Sequence, residues 1–314
     1  MKKISVTLQL EEEEKKLFYQ AIENANDTYD LCFQDPSDVK DASVIIGMIE
    51  TDKLAKSKEL EWLQIGWAGA ENYCREGVLS PNAMLTNASG AYGNAVAEHM
   101  VALTMSLASS IQIYFLQQLQ HRWELQQRMR VVSGSTVLVY GTGDIGTHYA
   151  RIMKAMGCSV IGIKRTKKCN SNIFDEQYIA EEAEQVIGRA DVIAMALPGG
   201  EQTRHIVDEA MIRKMKRGVI LINAGRGSTI DTNALIDGLQ EGIIGGAGLD
   251  VFEEEPLKDS PLWEMSNVII TPHAAGKLED SYNRKKVVEL CLDNLYRYTH
   301  GMELKHVVNR KLAY

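Results

Sequence analysis

Val137-Leu-Val-Tyr-Gly141-Thr-Gly143-Asp-Ile-Gly146 is the stretch that decides the fold. An apolar run ends in G-x-G-x-x-G and opens into helical spacing over 144–156, and a second apolar run follows at 159–163. The first glycine of such a pattern permits a tight turn, the second lets backbone approach a pyrophosphate, and the third allows close packing of helix on strand. The helix start then presents unpaired N–H groups and partial positive charge to an anion. Glycine-rich turns also arise for structural reasons alone. Here the strand–turn–helix–strand context is complete, so Gly141, Thr142, Gly143, Asp144, Ile145 and Gly146 read as the phosphate loop of a dinucleotide site.

Outward from that loop, short apolar runs alternate with helical patterns, the signature of parallel α/β architecture. Strands are expected at 135–140, 159–163, 192–197, 218–223, 243–249 and 267–271, with helices over 208–215 and 231–240. A less regular series precedes them, with strands at 4–8, 43–47 and 62–65 and a helix near 11–24. One long helix is expected from 92 to about 120 and another over 278–298.

The 314 residues carry 34 Lys and Arg against 42 Asp and Glu, a net charge of −8. That balance argues against a general nucleic-acid or anionic-membrane surface. Five cysteines, Cys32, Cys74, Cys158, Cys169 and Cys291, form no C-x-x-C pair and read as reduced thiols of a cytoplasmic protein. The apolar run at the N-terminus is too short for a signal peptide. No charged residue occurs between Glu98 and Arg122, yet the stretch holds several serines and glutamines, Thr104 among the polar residues. That polarity suits a helix buried in the protein or against a partner subunit better than a membrane span.

After the second strand of a dinucleotide unit, an NAD site places Asp or Glu to bind the ribose hydroxyls. This chain has Lys164-Arg165-Thr166-Lys167-Lys168 there, with no carboxylate. A solvated basic turn is the plain alternative. At this position, cations point to the 2′-phosphate of NADP, with NAD the weaker option. Three polar groups follow at the ends of later strands, where open sheets of this kind bind ligands: Arg226, Glu255 and His273. Together they supply an anion-binding cation, a carboxylate and an acid–base imidazole.

In this order and spacing, Gly90–His99, Gly141–Gly146, Leu197-Pro198, Asn223–Asp231, Gly248–Pro256 and Thr271-Pro-His273 resemble the D-2-hydroxyacid dehydrogenase family in its short glyoxylate/hydroxypyruvate-reductase-like form. The resemblance implies a Rossmann-type doubly wound parallel sheet over 91–282, inserted into a smaller flavodoxin-like substrate domain built from 1–90 and 283–314. It implies that Arg226 holds the substrate's carboxylate and carbonyl oxygen, that His273 is the general acid–base, and that Glu255 pairs with it. Asp250 would face the nicotinamide carboxamide, and Leu197, Pro198, Thr203 and Ala224 would join the cofactor site. Trp67-Ala68-Gly69-Ala70-Glu71 matches a family loop whose N–H groups bind the substrate carboxylate, although Trp67 and Glu71 replace its serine and aspartate. Met48 would line the same substrate site. The implied reaction is reduction of a small 2-oxo acid, glyoxylate or hydroxypyruvate among them, by a homodimer. A non-catalytic, cofactor-sensing corepressor-like scaffold is the alternative of another class.

Overall fold

The computed structural model describes residues 1–35, 39, 41–54, 59–126, 129–166 and 172–312. The chain divides into a terminal unit, Met1–Tyr92 with Lys277–Tyr314, and an inner unit, Gly93–Gly276. The ranges expected from sequence put the second crossing at 282/283, whereas 277–282 lie with the terminal unit. Asp280 caps the helix that begins at Ser281, and Asn283 Nδ2 donates to Lys277 O at 2.9 Å, which ties this lead-in to the helix it precedes.

The terminal unit begins with β1 (Lys2–Val6), α1 (Glu12–Ala21), β2 (Tyr29–Phe33), β3 (Val44–Gly47), α2 (Thr51–Leu54), β4 (Trp62–Ile65) and β5 (Met84–Thr86). Its five strands are all parallel, in the order β2-β1-β3-β4-β5, which is the flavodoxin-like arrangement. Every residue of β3 and β4 is buried, as strands covered on both faces require. Ile45, Leu63, Ile65 and Leu85 form the centre of one face's core.

The inner unit runs through α3 (Gly93–Ala108), α4 (Ile111–Leu119), β6 (Thr136–Tyr140), α5 (Asp144–Ala155), β7 (Ser159–Lys164), β8 (Glu176–Ile179) and β9 (Val192–Met195). It continues with α6 (Glu209–Arg213), β10 (Val219–Asn223), α7 (Thr232–Gln240), β11 (Ile244–Leu249) and β12 (Val268–Ile270), after which α8 (Ser281–Thr299) closes the terminal unit. Its seven parallel strands lie in the order β12-β11-β10-β9-β6-β7-β8. The chain winds one way from β6 and the other way from β9. The crevice beyond the carboxyl ends of those two neighbours is where such sheets bind ligands.

The long helix expected over 92–120 is in fact two. Ser110 adopts a left-handed conformation (φ 57°), closing α3 and starting α4 with a 68° bend. The Ile113 and Tyr114 N–H groups both turn back to Ser110 O, which starts the new helix. No single helix among the described residues is long and apolar enough to cross a membrane. Helix α3 buries Val96, Met100, Leu103 and Leu107, and its Thr104 hydroxyl lies 2.9 Å from Tyr149 Oη on α5.

The edge strand β8 is polar in sequence and part-exposed throughout, held by its ladder to β7 and by an ion pair. The Arg189 guanidinium donates to both oxygens of Glu176, and the Tyr178 hydroxyl adds a third bond; these hold the Glu176 carboxyl down at about 2. A folded-state value below the unfolded one makes this contribution full above about pH 4.3 and lost as the pH falls towards 2. Both groups are part-exposed, so solvent screening keeps the effect on stability small. Arg189→Ala should return the Glu176 titration midpoint towards the ordinary carboxylate range, which carboxyl NMR would read directly.

Candidate active site

Each glycine of the phosphate loop meets a different environment. Gly141 has φ 93°, and a Cβ there would lie 2.5 Å from Ala196 O. At Gly146 an added Cβ would lie 1.9 Å from Gly141 O. At Gly143 it would meet nothing within 4 Å. The outer two glycines are therefore demanded by the turn and by helix packing, while the middle one faces open space at the helix start. No side chain caps α5, and its first-turn N–H groups have no intrahelical acceptors. This is an anion cradle, and it fits a dinucleotide's phosphates.

Around it, Thr142 packs on β7, where a Cβ at Gly162 would strike Thr142 Cγ2 at 2.7 Å. The Asp144 carboxylate points away from the cradle, to the start of α3, where it fills the space a Gly93 side chain would need. Leu197 lies against both Gly141 and Gly225, and the Thr203 hydroxyl donates to Pro198 O at 2.8 Å. Ala224 is buried. Lys164, the last residue of β7, has Nζ 3.5 Å from Gln177 Oε1, and Arg165 and Thr166 follow exposed. Lys167 and Lys168 lie outside the described residues.

Three loops at the carboxyl ends of β10, β11 and β12 carry the remaining groups. In the first, Asn223 Nδ2 and the Thr229 hydroxyl both donate to Arg226 O, at 3.1 and 2.7 Å, and Arg226 Nη1 donates to Gly225 O at 2.8 Å. In the second, Glu255 accepts from the Phe252 N–H at 3.0 Å and holds His273 Nδ1 at 2.8 Å. A carboxylate only accepts, so Nδ1 donates and Nε2 is the ring nitrogen left to exchange a proton. The first two loops touch closely, because a Cβ at Gly227 would lie 1.9 Å from the Phe252 carbonyl carbon.

The third loop depends on Asp250, which is 1% exposed. Its Oδ1 accepts from the Thr271 hydroxyl at 2.5 Å and the Ala274 N–H at 2.8 Å, and its Oδ2 from the Ala275 N–H at 3.0 Å. The carboxylate that the resemblance turns towards the cofactor is thus committed to the segment carrying His273. The His273 N–H itself donates to Asp250 O at 2.9 Å, which helps hold the residue at φ 50°. Two further contributors, Asn223 and His99, stand at the ends of the family-like stretches Asn223–Asp231 and Gly90–His99 without a site role assigned to them from sequence; His99 Nε2 lies 3.0 Å from Thr271 Oγ1. Asn223 bonds Arg226 O only three residues on, whereas the His99 contact spans 172 residues, a pairing that residue type alone does not reveal.

In the terminal unit, Met48, Trp67 and Gly69 line a cavity of about 530 Å³ with Tyr73 and Lys53. The Trp67 ring lies 5.9 Å from that of Tyr73, whose hydroxyl donates to Ile49 O at 2.6 Å. The turn is fixed by Asn87 Nδ2 donating to Ala68 O at 2.6 Å and by the Ala88 N–H donating to Trp67 O at 2.9 Å. Ala70 is buried beneath it.

A doubly wound sheet, an anion cradle at its switch point and an imidazole–carboxylate pair define a dinucleotide-dependent oxidoreductase. The NAD-binding domain of the D-isomer specific 2-hydroxyacid dehydrogenases matches residues 101–275, and the chain belongs to that family. It is 30% identical over 282 residues to a glyoxylate reductase of Aeropyrum pernix, covering 86% of this chain and 83% of that one. Among solved structures it is similar to a D-isomer specific 2-hydroxyacid dehydrogenase family protein from Aeromonas salmonicida (29% identity, TM-score 0.84, 98% and 99% of the two chains). It is also similar to an NADPH-dependent glyoxylate/hydroxypyruvate reductase from Sinorhizobium meliloti, solved with NADP and sulfate (26% identity, TM-score 0.80, all of both chains).

Replacing Asp250 by Ala would leave the Thr271 hydroxyl and two N–H groups without their buried acceptor. Asp250→Ala should lower stability by about 2–4 kcal/mol, a few charged hydrogen bonds' worth, as measured by urea unfolding.

Proposed function

We propose that this protein reduces a short 2-oxo acid to the D-2-hydroxy acid, using NADPH in preference to NADH. The observation that carries this reading is the His273–Glu255 pair at 2.8 Å, beside the loop that bears Arg226. When bound, the nicotinamide cofactor supplies the hydride that reduces the carbonyl carbon. His273 donates a proton from Nε2 to the carbonyl oxygen, with Glu255 fixing the ring through Nδ1. Arg226 binds the carboxylate and offsets charge developing on that oxygen. In the terminal unit, the N–H groups of the Trp67–Ala70 turn offer carboxylate binding as the family loop does, and Met48 and Trp67 border the substrate. Leu197, Pro198, Thr203, Ala224 and the phosphate loop hold the cofactor.

NADPH preference is supported by the cations Lys164 and Arg165 at the end of β7, where a carboxylate would repel a 2′-phosphate. The NADPH-dependent reductase from Sinorhizobium meliloti is a relative with that preference. Short substrates such as glyoxylate are favoured by the relatives named as glyoxylate reductases. A homodimer is supported by α4 and the segment after it, which expose Phe115, Leu119, Trp123 and Leu125, with Trp123 fully exposed. A non-catalytic, corepressor-like scaffold is the reading of another class, and steady-state turnover of glyoxylate and hydroxypyruvate separates the two.

His273→Ala should lower kcat roughly 10²–10⁴-fold while cofactor affinity stays within about twofold. Stopped-flow turnover and cofactor fluorescence titration separate the two effects, and unchanged turnover would sink the assignment. For the cofactor, initial rates with NADPH and NADH across short 2-oxo acids should favour NADPH. Lys164→Asp with Arg165→Ala should move that preference towards NADH. Equal use of both by the parent protein would refute the reading of the basic turn.

A further inference from the structure

Phe252-Glu253-Glu254-Glu255 places three carboxylates in succession, and only the last has a part in the proposed reaction, on whose assignment of His273 and Glu255 this inference rests. Like charges so close repel and compete for any cation near them. Each of the three has a separate partner. Glu254 pairs with Lys258, and Glu255 with His273. Glu253 is the most elaborately held. Its Oε1 accepts from His205 Nε2 at 2.5 Å and lies 3.5 Å from Arg204 Nη2. Its Oε2 accepts from the Thr232 N–H at 3.1 Å and the Thr232 hydroxyl at 2.5 Å, at the start of α7.

The His205 ring also faces a second carboxylate, with Nδ1 3.6 Å from Asp231 Oδ2. His205 is itself held in a left-handed backbone conformation (φ 49°), with its N–H on Ser228 O at 2.8 Å. Helix α7 thus receives Glu253 at its positive end, and the loop before α6 supplies the imidazole that closes the contact. The Gly227 contact leaves the 252–253 backbone no room to shift towards the Arg226 turn.

We infer that His205 and Glu253 are a positioning pair: by binding Glu253 they fix the register of the acidic triplet, so that Glu255 and no other carboxylate meets His273. Neither residue touches the reacting atoms. Without His205, Glu253 keeps its Thr232 bonds but loses the imidazole that holds Oε1, and without the Glu253 carboxylate the 252–255 segment loses its tie to α7. Misplacement of a reacting group by a small distance is enough to slow turnover strongly.

The test uses Glu253→Ala and His205→Asn; asparagine tolerates the left-handed backbone at 205 but is too short to reach Glu253. Both variants should lose kcat about tenfold or more, with cofactor affinity within about twofold of the parent. In both, the downfield Nδ1–H proton resonance of His273, set by its bond to Glu255, should move or broaden. A role confined to stability would lower the melting temperature and leave that resonance where it is. The inference is overturned if kcat in both variants matches the parent, or if the rate falls while the His273 resonance stays fixed. Should Glu253→Ala not fold, His205→Asn decides alone. A parent-like rate in His273→Ala overturns the proposed reaction itself, a separate result from either of these.

Discussion

The Asp250 carboxylate sits almost wholly out of solvent at the end of β11, where an isolated charge would be costly, and three donors from the 271–275 segment surround it. Its own N–H donates back to Asn223 O at the end of β10, and Asn223 in turn holds the Arg226 carbonyl. Through these two residues the loops after β10, β11 and β12 are braced as one piece. Arg226, Glu255 and His273 inherit their places from that bracing. The parallel sheet makes it possible by bringing three carboxyl ends side by side; short polar side chains do the joining.

The inner sheet could be read almost strand for strand, because parallel strands buried on both faces are continuous apolar runs bounded by turn residues. Three strands gave no such signal. Tyr29–Phe33 buries only Leu31, Met84–Thr86 is three residues long, and Glu176–Ile179 buries nothing fully. They are edge strands, held by ladders to a neighbour that local sequence does not name. The break at Ser110 was hidden for a related reason. Apolar composition continues across it, and only the backbone conformation of one serine divides the helix.

For the site, the chemistry-bearing residues were legible because glycines, an arginine and a histidine punctuate strand ends at telling positions. What joins them was not. Asp250 sits in the quoted pattern as plainly as Glu255 does, yet whether its side chain turns to a ligand or to a neighbouring loop depends on donors more than twenty residues away. Asp144 is a similar case: it belongs to the phosphate loop by sequence, while its carboxylate serves the start of α3.

Gly227 bears on how this protein could acquire new specificity. With the Phe252 carbonyl carbon where its Cβ would be, that position admits no side chain, and its neighbours Arg226 and Thr229 are tied down by carbonyl contacts. The inner unit therefore offers little room for drift in substrate choice. Met48 and Trp67 stand at a cavity wall in the other unit, where neither side chain makes a hydrogen bond among the described residues. On the proposed reading that these two residues border the substrate, directed evolution towards other 2-oxo acids would find its permissive positions there, leaving the proposed acid–base pair untouched.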